Sequence, residues 1–306
     1  MRENKWITNV LLVIIMILVV VACAVAYMCF INDVEIIEQK TEDALFTGTN
    51  YPIVDGLIAT LPLAEAFKAE FTKTDINDIE VTHSKTHNAY VNLVKGDTDL
   101  ILVTYPSEEE QRLAEDYGIE LEIVPIVKEA LVFFTNKNNP VENLTLAQIQ
   151  NIYSGKIKNW KDVGGTDSEI IAFQRPENTG SQTGMLKLVM KGIKMMAPKT
   201  ETVSQSAFDI IDVISDYNNK ENAIGYSYYY YATTMYTNDA MRLLSVNGIE
   251  PTYENIQTGL YDMQTAYYAV IRKDEPENSN TRKLLNAMMS ERGQKVAKEA
   301  GYVQNY

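Results

Sequence analysis

The feature that most restricts this chain is an unbroken apolar run from Val10 to Ile31, preceded by Arg2 and Lys5 and followed by Asp33, Glu35 and Glu38. It matches the ~20 residues that a helix needs to cross a bilayer. Basic residues ahead of the run and acids behind it orient the N-terminus inward and everything after about Asn32 outward.

Val20-Val21-Ala22-Cys23 also reads as a bacterial lipobox, in which Cys23 is lipidated and becomes the anchor, although Ala24 to Ile31 stays apolar. A transmembrane helix and a lipoprotein anchor both remain open, and the run exceeds the apolar core of about 7 to 15 residues in a cleaved secretory signal. Every version puts the globular part outside the cell membrane. Both cysteines, Cys23 and Cys29, lie inside the run, so the exported part forms no disulfide and depends on its core. The 27 basic residues are outnumbered by 41 acids, a net charge of −14. That excess argues against nucleic acid and anionic lipid surfaces as partners, since both need a basic face. Any bound anion is therefore held by a local site.

Residues 1–32 are expected to form the anchor and residues 33–49 a polar stalk. Beyond them, short apolar runs alternate with segments of helical period, the pattern of α/β layers around a largely parallel sheet. Strands are expected at Asp99–Thr104, Leu121–Val127, Leu131–Thr135, Glu169–Phe173, Ala223–Ser227 and Tyr267–Ile271. Helices are expected at Pro62–Phe71 and Leu146–Tyr153, the second opened by Thr145 and Gln148 at capping-box spacing and stopped by Gly155. The tyrosines of Tyr226 to Tyr231 read as packing residues.

No zinc-ligand spacing, Lys-Ser/Thr phosphate loop or Gly-x-Ser-x-Gly elbow occurs, which points away from an enzyme. His83 and His87 stand four apart, but no acid completes a His-Glu-x-x-His pattern. Three turns carry small polar residues between an expected strand and helix: Asp55 to Pro62 with Thr60, His83 to His87 with Ser84 and Thr86, and Arg175 to Thr183 with Thr179, Gly180 and Ser181. Thr60 and Ser84 also suit simple capping. Three such turns together, one with an arginine able to grip an oxyanion with two N–H groups, point to an anion site.

Tyr51 to Tyr306 resembles the phosphate-binding proteins of bacterial phosphate ABC transporters. Gly56-Leu-Ile-Ala-Thr60-Leu61-Pro62 is similar to their first ligand loop, and Arg175-x-x-x-Thr179-Gly180-Ser181 to their phosphate clamp. Asn151-Ile-Tyr-Ser-Gly-Lys-Ile-Lys-Asn-Trp160 and Gly293-Gln294 to Val303 follow the same family. The resemblance implies a two-lobed clamshell of the type II periplasmic-binding-protein class, lobe one holding residues 50–132 and 265–306 and lobe two residues 133–264. It implies a monomeric receptor that hands its anion to importer permease subunits, without a cofactor and without transforming the anion. Arg175 would neutralise the anion. Thr179, Ser181, Thr60 and Ser84 or Thr86 would donate hydroxyls, and N–H groups at Leu61 and Gly180 would complete the cage. Where the family carries a proton-accepting carboxylate, this chain has Thr104. A hydroxyl both donates and accepts, so it does not exclude a deprotonated anion such as sulfate. Leu57 and Ile58 fill positions usually small in the first loop. The alternative is a membrane-anchored sensory or adhesion module with the same fold and a different ligand or none.

Overall fold

The computed structural model describes residues 15–30, 43–198 and 221–305. Its strands, in chain order, are β1 (Val54–Gly56), β2 (Leu100–Val103), β3 (Leu121–Asn136), β4 (Asn143–Leu144), β5 (Ile171–Ala172), β6 (Ala223–Tyr228), β7 (Met241–Leu243), β8 (Ser245–Val246), β9 (Gln264–Arg272) and β10 (Val303–Gln304). The main sheet runs β1-β2-β9-β3-β6-β5, with β10 and β7 also paired to β3, while β4 and β8 form a separate pair.

Hydrophobic patterning accounts for the elements closest to the site. β2 is four buried aliphatic residues in a row, as a strand covered on both faces requires. The helix Leu61–Thr72 takes Pro62 in its first turn, where no N–H is needed, and buries Leu63, Phe67 and Phe71 at helical spacing. Each buried phenyl ring contributes about 2 kcal/mol. The helix Leu146–Tyr153 starts as expected, with Thr145 and Gln148 capping each other's backbone N–H.

The sheet departs from the expected parallel arrangement. Parallel pairing joins β1 to β2, β5 to β6 and β4 to β8, whereas β9 and β3 run antiparallel to their neighbours. The two strands expected at Leu121–Val127 and Leu131–Thr135 are one. β3 pairs with β9 as far as Ala130 and with β6 from Leu131, so a single strand joins two halves of the sheet. Lys128 and Glu129 interrupt its apolar pattern without breaking it. The Lys128 ammonium donates to the Gln257 carbonyl at 2.6 Å, and the Glu129 carboxylate accepts from the Ala130 N–H at 2.8 Å.

The body also begins before Tyr51. Leu45 and Phe46 donate their N–H groups to the Phe71 carbonyl, and Phe46 is buried, so this part of the expected stalk packs on the domain. Residues 31–42 of the expected stalk lie outside the described residues. Within the expected anchor, residues 15–30 are helical and exposed, Cys23 among them. Residues 1–14 lie outside the described residues. Among the described residues no helix is long and apolar enough to cross a membrane.

Candidate functional site

A cavity of about 620 Å³ opens between two walls. One wall is Leu57-Ile58-Ala59, following β1, with Lys85-Thr86-His87-Asn88 at the start of the helix Thr86–Lys95. The other is Arg175 and Glu177 to Ser181, between β5 and the short helix Gly180–Gly184, with Ser227, Tyr228 and Tyr231 around the end of β6. Of the residues expected to hold an anion, Thr86, Arg175, Thr179, Gly180 and Ser181 share this cavity.

The other four do not line it. The Thr60 hydroxyl is fully buried and faces the Leu102 carbonyl at 2.7 Å and the Leu57 carbonyl at 2.9 Å, so its one proton is used within the fold. Leu61 is the first residue of its helix and stands outside the lining. Ser84 donates its hydroxyl to Asp55 at 2.5 Å, and its N–H binds the same carboxylate at 2.7 Å. Thr104 is buried against Gly180, its hydroxyl without a hydrogen-bond partner.

Asp55 is the organiser of the first wall. Burial alone would raise its pKa, but hydrogen bonds from the Ser84 hydroxyl and N–H, the Asn92 amide and the Gly56 N–H together hold it below the usual carboxylate range. An ionised Asp55 thus ties the loop after β1 to the loop before Thr86. Lys85 sits between them at φ 77, in the left-handed region, with its N–H on the Gly56 carbonyl at 3.1 Å.

The walls touch beside the cavity. A Cβ on Gly180 would fall 2.6 Å from the Thr104 hydroxyl oxygen, so glycine is what permits this approach. The Lys187 ammonium donates to the Pro106 carbonyl at 2.6 Å and lies 4.5 Å from the centre of the Tyr105 ring, while the Asn178 amide donates to Glu109. Burial lowers the Lys187 pKa. Tyr228 donates to the Gly180 carbonyl at 2.8 Å and fixes the clamp turn from below. The backbone N–H of Arg175 is held by the Tyr226 hydroxyl at 3.1 Å.

The two histidines do not meet. His83 precedes its helix and places Nδ1 2.8 Å from the Leu57 carbonyl, with its pKa lowered by burial, while His87 Nδ1 lies 3.5 Å from the buried carboxyl of Glu110. Among the described residues no group of three or more His, Cys, Asp or Glu is placed to hold a metal.

Sequence reasoning missed two parts of the site. Asp55 carried a signal, since a charged residue buried in the middle of the short β1 needs partners. Tyr228 and Tyr231, read as packing, also face the cavity.

A fold of this kind, with a polar clamp in a cavity, is shared by known proteins. The family model described as a PBP superfamily domain matches residues 47–292. The chain belongs to the PBP superfamily. Within that superfamily it is 26% identical over 259 residues to the phosphate-binding protein PstS of Staphylococcus saprophyticus, covering 81% of this chain and 78% of the relative. It is 25% identical to PstS of Bacillus subtilis, covering 82% and 79%. Among solved structures it superposes on a Clostridium perfringens protein assigned as a phosphate ABC transporter substrate-binding protein, with phosphate bound. The TM-score is 0.66 at 25% identity, covering 82% of this chain and 98% of that one. The first two relatives are named for phosphate binding, and the third for substrate binding in a phosphate ABC transporter.

Proposed function

We propose that this protein is an extracytoplasmic receptor that captures a phosphate-type oxyanion for an ABC importer. It is held at the cell membrane by its N-terminal apolar run or by a lipid on Cys23. The observation that carries the reading is Arg175 in one cavity with Thr179, Gly180 and Ser181, facing Thr86 across the cleft. The likeness to PstS proteins supports phosphate as the anion.

In this reading residues 50–132 with 265–306 make one lobe and residues 133–264 the other, hinged where β3 exchanges β9 for β6. Arg175 neutralises the anion, Ser181 and Thr86 donate hydroxyls and the Gly180 N–H adds a further donor, while the Thr179 hydroxyl, which donates to the Pro176 carbonyl at 2.8 Å, shapes the clamp turn. The contacts of Lys187 and Asn178 with the 104–109 segment hold the closed form that permease subunits would recognise. Titration calorimetry of the full chain in detergent tests this. Binding of phosphate that is lost in Arg175→Ala is expected; binding unaffected by that substitution would refute the assignment.

A further inference from the structure

The cavity is far larger than an inorganic oxyanion requires. At about 30 Å³ per water, 620 Å³ corresponds to about twenty waters, whereas a five-atom oxyanion displaces only a few. The volume lies within the about 300–1,000 Å³ typical of sites for organic ligands.

The lining is also divided in character. The polar donors gather at Arg175 and Ser181 on the clamp side and at Lys85, Thr86, His87 and Asn88 at the start of the facing helix. Away from them the walls are Leu57, Ile58 and Ala59 with the rings of Tyr228 and Tyr231. Tyr228 offers its ring alone, because its hydroxyl is engaged by the Gly180 carbonyl and the ring packs edge-on against Tyr267. An inorganic oxyanion seeks donors on every side, and apolar walls leave its outer oxygens poorly solvated. Those same walls gain free energy from contact with hydrocarbon.

From this division we propose that the ligand is an organic phosphate or phosphonate, its anionic head on the Arg175–Ser181 clamp and its organic body against Leu57, Ile58 and Tyr231. The proposal rests on the oxyanion-receptor reading and specifies its substrate class. Lys85, at the outer rim, suits a second polar substituent on the body of the ligand.

The test is calorimetric titration of the full chain in detergent with inorganic phosphate, phenyl phosphate and phenylphosphonate, repeated with Ile58→Ala. Ile58 is half-buried at the cavity wall, and a thermal melt of the variant checks that it folds. The expected result is that phenyl phosphate or phenylphosphonate binds at least about tenfold more tightly than inorganic phosphate. Ile58→Ala should then weaken the phenyl ligand about tenfold while changing inorganic phosphate by less than about twofold. The stronger of the two phenyl ligands distinguishes an ester from a phosphonate. Inorganic phosphate binding as tightly as the phenyl ligands overturns the organic-ligand proposal and leaves the receptor reading intact. No binding of any of the three overturns both.

Discussion

Glu129 carries the most demanding prediction, because a carboxyl group is buried in the strand that joins the two halves of the sheet. Burial pushes its pKa from 4.5 up to about 7, against the lowering effect of the Ala130 N–H, the Tyr267 hydroxyl and the N–H groups of Tyr230 and Tyr229. The phenols of Tyr228, Tyr267 and Tyr302 around it are themselves pushed upward by burial, so they stay neutral and add no further negative charge. In the unfolded chain the carboxyl titrates near 4.5, and in the folded protein near 7. Between those values the folded state binds more protons, so stability is fully present below about pH 4.5 and is lost as pH rises towards and through about 7. At about 1.4 kcal/mol per pH unit, the loss amounts to about 3 kcal/mol. Glu129→Gln keeps an oxygen for the Ala130 N–H and removes the charge. Urea unfolding followed by circular dichroism at pH 5 and pH 8 should show the wild type losing about 2.5 kcal/mol relative to this variant. His83, whose pKa burial lowers, contributes a slope of opposite sign, and subtracting the variant removes it. A wild-type-minus-variant difference that stays flat from pH 5 to pH 8 would refute the reasoning.

Gly180→Ala places a Cβ 2.6 Å from the Thr104 hydroxyl oxygen, so it should force the walls apart, weaken anion binding at least about tenfold and cost about 1–3 kcal/mol. Unchanged affinity in calorimetry would show that the approach of Gly180 to Thr104 is irrelevant to binding. Asp55→Ala strands the Ser84 and Gly56 N–H groups and the Asn92 amide, and should cost about 3 kcal/mol in a thermal melt; a loss below about 1 kcal/mol would contradict the organising role. Because its folded pKa is lowered, the stability Asp55 contributes is present above about pH 4 and lost as pH falls further. Thr104→Val removes a buried hydroxyl without a partner and should leave the melting temperature unchanged or slightly raised, whereas a fall of several degrees would reveal a hydrogen bond there.

The local features of this protein follow from sequence alone. The 146–153 helix and its capping box, the buried face of the 61–72 helix and the aliphatic β2 rest on periodicity and on groups within a few residues of each other. The clamp was legible for the same reason, since Arg175 and Thr179 to Ser181 lie in one turn. Tertiary structure decided everything that depends on distant partners. Lys128 and Glu129 look like a strand break until Gln257 and the backbone of Tyr230 arrive from elsewhere in the chain to accept one and donate to the other. Thr60, Ser84 and Thr104 have the right chemistry for an anion cage, but which way a hydroxyl turns depends on the nearest acceptor. For Thr60 and Ser84 that acceptor is the Leu102 carbonyl and Asp55, supplied by β2 and β1. The apolar half of the cavity is likewise assembled from Leu57 and Ile58 at one end of the chain and Tyr228 and Tyr231 near the other. Short-range pattern fixes an element because its hydrogen bonds close within the element; the use of a side chain is fixed by whatever the fold brings within about 3 Å of it.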